Sequence, residues 1–289
     1  MTKISVNVLC YDNYCNQARK CLSSVVEAID TDVVSDIRVG LNEPTMALRH
    51  EVIRILTNCC RTYDIPAYIF IPEKCKNVGK YPLMRRMFYA ESVDICPLSE
   101  LVMWFDDDSH VIDTFKSTQA SWFKKVACMA ANTDILGSIY RPGPHYPMTG
   151  QIAGIKQQPW YAGADISRDM LFITGGWWVA RTALLKSWNY PFEVIHHNGG
   201  DIILGELCRQ QKYRIQHFND GVAINYDAAR GGESRAERRG LTSSPPWANF
   251  KPDKPVSLCH QKFFHDVYKV HSTDTLVEIK KVIDDRTYF

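Results

Sequence analysis

Leu101-Val102-Met103-Trp104-Phe105 is apolar without interruption and runs directly into Asp106-Asp107-Asp108. A strand lacking polar alternation has both faces covered, so it belongs inside a sheet sandwiched by helices rather than on a solvated sheet surface. Three further segments read as strands: Ile4–Leu9, which alternates and is β-branched, Asp36–Leu41 and Ala67–Ile71. Between them, Ala18, Leu22, Val25, Val26 and Ile29 recur at helical spacing, as do Leu48, Val52, Leu56 and Cys59, and residues 80–90 form a third helical stretch. Strand and helix in alternation predict an α/β chain with a mostly parallel central sheet flanked by helices.

The second half is less regular. Trp and Tyr concentrate between residues 160 and 190, a helix is expected over 201–211, strands near 214–218 and 222–226, and a closing helix carrying Leu276, Ile279 and Ile283. Residues 228–255 hold Gly231-Gly232, Arg230, Arg235, Arg238, Arg239 and Ser243-Ser244-Pro245-Pro246, which is loop chemistry. Neither a repeat nor a linker-like composition shift divides the 289 residues, of which 45% are apolar. One continuous domain is expected, with residues 1–110 as one functional half and 111–289 as the other, the latter bearing a mobile loop at about 228–255.

Charge and cysteine usage narrow the setting. The balance of 34 basic against 32 acidic residues gives +2, so no acidic partner follows from net charge. The ten cysteines are scattered, with no CxxC pair, which suits reduced, mostly buried thiols. Met1-Thr2-Lys3 leads straight into apolar alternation without a signal-peptide pattern. The longest apolar stretch, 170–185, is broken by Arg181 and a glycine pair and falls short of the ~20 residues a bilayer requires. A cytoplasmic protein is expected, in the host cytoplasm if the source is viral, with no membrane contact.

Three carboxylates at the tip of a buried strand repel one another unless something positive holds them. Hard oxygen ligands suit Mg2+ or Mn2+, and open α/β sheets bind ligands beyond the carboxyl ends of their strands. The triplet is therefore a candidate metal site. The competing structural reading is an acidic turn in which Asp108 or Ser109 caps a following helix.

Asp106-Asp107-Asp108 resembles the D-x-D motif of the GT-A glycosyltransferases, in particular their large family-two-like group, which implies Asp106 and Asp108 as the metal ligands, and further matches follow in the family's order. The opening strand and helix, with Cys10-Tyr11 and Ser23-Ser24, look like the family's start; the resemblance implies that Leu9, Tyr11 and Asn42 lie near the nucleotide base. Asn77-Val78-Gly79-Lys80 resembles the family's Asn-x-Gly-Lys segment, which implies that Lys80, with Arg85, meets the base or diphosphate. Thr174-Gly175-Gly176-Trp177-Trp178 resembles the Gly-Gly-aromatic segment lining donor sugar and acceptor, which brings in Gly175, Gly176 and Trp177. Glycines permit close backbone approach and indoles offer flat apolar faces. Neighbouring tryptophans on a strand point to opposite faces, so one belongs to the core.

Asn198-Gly199-Gly200-Asp201 resembles the family's Gly-Gly-Glu-Asp motif, which implies Asp201 as the catalytic general base of an inverting enzyme. Burial would raise the pKa of such a carboxylate and a helix N-terminus would lower it; an ordinary helix-start aspartate is the structural alternative. The chain departs from the pattern in having one acidic residue where many relatives have two. Asp108-Ser109-His110 with the two glycine motifs is also similar to the polypeptide N-acetylgalactosaminyltransferases, which retain configuration and use an aspartate-x-histidine pair for metal. Their further histidine has no counterpart in Ala223-Ile224-Asn225-Tyr226-Asp227.

The expectation is thus a metal-dependent glycosyltransferase using Mn2+ or Mg2+ and a nucleotide-sugar donor, uridine-based by the resemblance. Arg238 and Arg239 of the loop would clamp the diphosphate. From 209 to 239, seven basic residues face four acidic ones. That local excess admits DNA carrying a hydroxymethylated pyrimidine as acceptor, as for phage enzymes of this broad type, beside a saccharide or protein acceptor. Two other classes remain open: a nucleotidyltransferase, which would carry a glycine-rich phosphate loop where Tyr11–Cys15 has no glycine, and a non-catalytic sugar- or nucleic-acid-binding module.

Overall fold

Alternate residues of β1 (Ile4–Tyr11) go to opposite sides of the sheet, and the two sides bury different partners. Ile4, Val6, Val8 and Cys10 join one apolar layer, whereas Leu9 and Tyr11 join the other. The first layer is built by α1 (Cys15–Ala28), α2 (Met46–Tyr63) and α4 (Trp122–Ala130), the second by α3 (Lys80–Tyr89) and α6 (Gly200–Gln211). The computed structural model describes residues 2–72, 75, 77–89, 95–113, 121–139, 172–191, 200–224 and 278–281.

Helix ends follow local chemistry. Thr45 caps α2 by accepting from the Leu48 amide, and the helix stops at Asp64 in the left-handed region. Ser121 caps α4 by accepting from the Lys124 amide and donates its own proton to Asp30 at 2.6 Å. The face of α2 predicted from spacing, Leu48, Val52, Leu56 and Cys59, is the one it buries, with Ile55 added.

The remaining elements are β2 (Val34–Asn42), β3 (Ala67–Ile71), β4 (Leu101–Asp106), β5 (His110–Val111), β6 (Ile135–Ile139), β7 (Ile173–Arg181), α5 (Thr182–Ser187), β8 (Ile215–His217), β9 (Val222–Ala223) and β10 (Glu278–Lys281). Among the described residues one sheet has eight strands in the order β10-β3-β2-β1-β4-β7-β6-β8, and β5 pairs with β9 in a small second sheet. β1 is parallel to β2 and β4, β2 to β3, and β6 to β8; β7 is antiparallel to both neighbours and β10 to β3. This is the α/β, mostly parallel sheet expected. The chain steps outward from β1 to β3, then returns to β4 on the other side of β1. The reversal opens a crevice at the carboxyl ends of β1 and β4, where such sheets bind ligands.

Three expectations change. The closing helix is not seen at 278–281, which pair as a strand with β3 from Glu278↔Ile71 to Lys281↔Tyr68; an open sheet edge satisfied by backbone pairing outweighs a weak helical spacing. The acidic triplet leads through a turn into β5, so neither Asp108 nor Ser109 caps a helix. β6 and α5 were not legible as separate elements. The 228–255 loop, with Arg238 and Arg239, lies outside the described residues.

At the opposite end of the sheet, a buried pair fixes α3. The Arg38 guanidinium meets Asp36 at 2.7 Å and donates to the Met87 carbonyl at 2.7 Å, while Ser5 donates to Asp36 at 2.6 Å. The last turn of α3 is thereby tied to β2 and β1, and its first turn is held at the crevice.

Candidate functional site at the switch point

Register carries the acidic triplet to the crevice. Leu9 of β1 pairs with Asp106 of β4, and the Tyr11 amide donates to the Asp107 carboxylate at 3.1 Å. Exposure alternates from there: Asp106, Asp108 and His110 are half-buried, Asp107 and Ser109 buried. Asp107 is thus the structural member that ties β4 to β1, while Asp106 and Asp108 are the less buried carboxylates of the triplet. Burial, with a smaller contribution from Lys20, holds the His110 imidazole below its ordinary pKa, which favours the neutral form.

Asp106 shares its face of β4 with Trp104 and meets two donors there. Trp104 Nε1–H donates to Asp106 Oδ1 at 3.0 Å, and Lys80 Nζ donates to Asp106 Oδ2 at 2.8 Å. The same ammonium donates to the Gly175 carbonyl at 2.8 Å and lies 5.7 Å from the centre of the Trp104 ring. A side chain at Gly175 would put its Cβ 3.2 Å from Lys80 Nζ and 3.6 Å from Asp201 Oδ2. Gly175 is therefore the narrow point between lysine and second carboxylate, and Asp106, Lys80, Gly175 and Asp201 come together as the sequence motifs imply.

The base-side residues also converge. Asn42 Nδ2 and the Tyr11 hydroxyl both donate to Asn77 Oδ1, at 3.0 and 3.3 Å, and Asn42 Oδ1 accepts from the Val78 amide at 3.0 Å. Asn77 Oδ1 also accepts from the Gly79 amide at 3.0 Å. Asn77 is thus the hub that sets the loop before Lys80. Leu9 is fully buried against the α3 layer.

Two candidates have structural roles instead. Arg85 is 2% exposed and donates to the Asn189 carbonyl at 3.1 Å, the Pro191 carbonyl at 3.0 Å and Asn189 Oδ1 at 2.8 Å, so it pins a turn and does not face the crevice. Trp177 is fully buried in the α1–α2–α4 layer, with its ring centre 6.4 Å from Phe105, 5.8 Å from Trp122 and 6.0 Å from Phe218. Strand alternation explains it: Trp177 pairs with Phe105, whereas Trp178 pairs with Trp104 and stacks on it at 6.3 Å, on the Asp106 side. Trp178 and Trp104 are therefore the indoles of the site. With Asp201, Leu204, Gly205, Ile135, Ile173 and Ile215, Trp178 also lines a small pocket.

Asp201 lies in the first turn of α6. Behind it are Tyr81 and Tyr190, both fully buried phenols whose pKa burial pushes up, with Asp201 adding to the rise. Among the described residues no three His, Cys, Asp or Glu side chains converge closely enough to hold a metal by themselves. The donor set still fits a hard cation: Asp106 already binds one positive group, the Lys80 ammonium, and Asp108 is a second half-buried carboxylate two residues on.

The α/β sheet with an acidic strand tip at its switch point is an architecture of the Rossmann-like kind. No protein-family model and no curated protein sequence matches the chain. Among solved structures it is similar to the mannosyltransferase PcManGT from Pyrobaculum calidifontis in complex with GDP-Man and Mn2+, with a TM-score of 0.53 and 17% identity, over 80% of this chain and 58% of that one. It also matches S. aureus TarS, with a TM-score of 0.48, 16% identity, and coverage of 75% and 35%. For S. aureus TarS 1–349 the values are 0.47, 17%, 75% and 58%. The fold is similar to that of the mannosyltransferase, and the chain spans less than two thirds of that protein's length. Among the described residues no helix is long and apolar enough to cross a membrane.

Proposed function

We propose that the protein is a metal-dependent glycosyltransferase that moves a sugar from a nucleoside-diphosphate donor to an acceptor hydroxyl. The observation that carries this reading is the meeting of Asp106, Lys80, Gly175 and Asp201 at the switch point. The sequence resemblance favours a uridine donor; the mannosyltransferase of similar fold is in complex with GDP-Man and Mn2+. Asp106 and Asp108 would hold Mn2+ or Mg2+, which when bound supplies positive charge to the leaving diphosphate.

The chain's own groups do the rest. Asn77, held by Tyr11 and Asn42, shapes the loop that receives the nucleotide. Lys80 offers an ammonium to phosphate oxygens beside Asp106. Asp201 accepts the proton of the acceptor hydroxyl as its oxygen attacks the anomeric carbon and the bond to the diphosphate breaks, an inverting course. The basic excess from 209 to 239 supports a DNA acceptor carrying hydroxymethylated pyrimidine, whose binding would weaken steeply with salt.

The test is turnover of GDP-mannose and UDP-glucose with and without Mn2+. Metal-dependent release of nucleoside diphosphate is expected; release of pyrophosphate would assign nucleotidyl transfer, and binding without turnover a non-catalytic module. Asp201→Asn should keep donor binding and lower transfer by about 100- to 10,000-fold; normal transfer would reassign the base.

A further inference from the structure

Asp201 stands at the start of α6, where the first backbone N–H groups have no partner within the helix. A carboxylate in that turn ordinarily bends back onto those amides, which would take it out of the crevice. Here a neighbouring helix fills the position. The Asp201 amide donates to the Tyr81 hydroxyl, and the Tyr81 hydroxyl donates onward to that of Tyr190. The phenol of Tyr81 packs closely against the helix start: a Cβ on Gly200 would stand 2.3 Å from Tyr81 Cζ and 2.7 Å from its oxygen, so a side chain there would displace the ring. The ring is 3% exposed, and Tyr190 meets it edge-on at 6.4 Å.

The support behind this contact comes from the same helix. Tyr81, Arg85 and Tyr89 form one stripe of α3 at four-residue spacing. Arg85 holds the Asn189 and Pro191 carbonyls, and the Tyr89 hydroxyl donates to the Tyr190 carbonyl. One residue before the stripe, Lys80 grips Asp106. A single helix thus fixes the lysine on the metal-side carboxylate and the cap behind the acceptor-side one. Asp201 Oδ2 comes within 3.6 Å of the Cβ position at Gly175, on the crevice side.

We infer that Tyr81 is the positioning residue for Asp201: its hydroxyl occupies the first-turn amide of α6 and so directs the carboxylate toward Gly175 and Lys80. The inference rests on the reading of Asp201 as the base. Tyr81 itself touches no substrate atom and moves no proton in the reaction.

The experiment compares wild type, Tyr81→Phe, Tyr190→Phe and Asp201→Asn by two measurements. Amide hydrogen exchange at Asp201, which needs no donor, should accelerate about tenfold in Tyr81→Phe, the loss expected for one hydrogen bond, and stay nearly unchanged in Tyr190→Phe. Mn2+-dependent turnover of GDP-mannose and UDP-glucose should show a matching fall in kcat with the donor KM unchanged. Unchanged exchange at Asp201 in Tyr81→Phe overturns the proposal whichever donor is used. A rise in donor KM equal to the fall in kcat also overturns it, because general loosening of α3 would disturb Lys80 as well. Full turnover in Asp201→Asn with accelerated exchange in Tyr81→Phe would instead remove the base assignment and leave the cap standing.

Discussion

The two faces of β4 and β7 carry the same residue types to opposite ends. On one face Met103, Phe105, Trp177 and Val179 enter an apolar layer, and among the described residues the buried Trp177 indole N–H has no hydrogen-bond partner. On the other, Trp104 and Trp178 stack, and the Trp104 indole N–H serves Asp106. The first arrangement stabilises the sheet by burial alone. The second surrounds charge with aromatic walls, where an ammonium–carboxylate pair is weakly screened and a phosphate would be strongly felt. A shift of one residue along the strand separates structural indole from site indole.

Mutations on each face should therefore read out differently. Asp108→Ala is expected to abolish release of nucleoside diphosphate while circular dichroism stays that of wild type; unchanged turnover would remove the metal role from the triplet. Trp177→Ala should cost about 3–5 kcal/mol of folding stability, measured by denaturant unfolding, while folded molecules keep their donor affinity. A variant with wild-type stability but lost donor binding would reverse the roles of the two faces.

Lys80→Met sharpens the contrast further. It leaves Asp106, whose side chain is 14% exposed, without its cation, and should destabilise by about 1–3 kcal/mol. Mn2+ should raise the melting temperature of this variant more than that of wild type. An equal rise in both would mean that Lys80 and metal do not share Asp106.

The smallest effect is expected where charge sits on the outer surface of the apolar layer. Glu51 of α2 bonds Arg54 and Arg19, which lower its pKa to about 2. Its contribution is full above the unfolded value of about 4.3 and is lost as pH falls toward about 2. Both arginines are more than half exposed, 53% and 58%, so Glu51→Gln should cost less than about 1 kcal/mol at pH 7 and flatten the acid limb of the stability curve. A larger loss would show that surface charge matters as much as the buried pair.

Much of this was legible in the chain itself. Four strands alternating with helices announced the sheet, and the order of the Asp106, Gly175 and Asp201 motifs anticipated which residues meet. Trp177 could not be separated from Trp178 by composition, because the choice depends on strand register against Phe105 and Trp104. Arg85 reads as a phosphate ligand by proximity to Lys80, but on a helix five residues separate opposite faces. Tyr81 carries no sequence signal beyond its place after Lys80; only the close approach at Gly200 reveals it. β10 was missed because pairing with a distant edge strand is a tertiary contact.

The most direct measurement of the central claim is calorimetric titration of GDP and UDP into the wild-type protein and Asp108→Ala, each with and without Mn2+. The account predicts that at least one nucleotide binds wild type only when Mn2+ is present, and that Asp108→Ala binds neither. Binding that ignores both the cation and the substitution would contradict it.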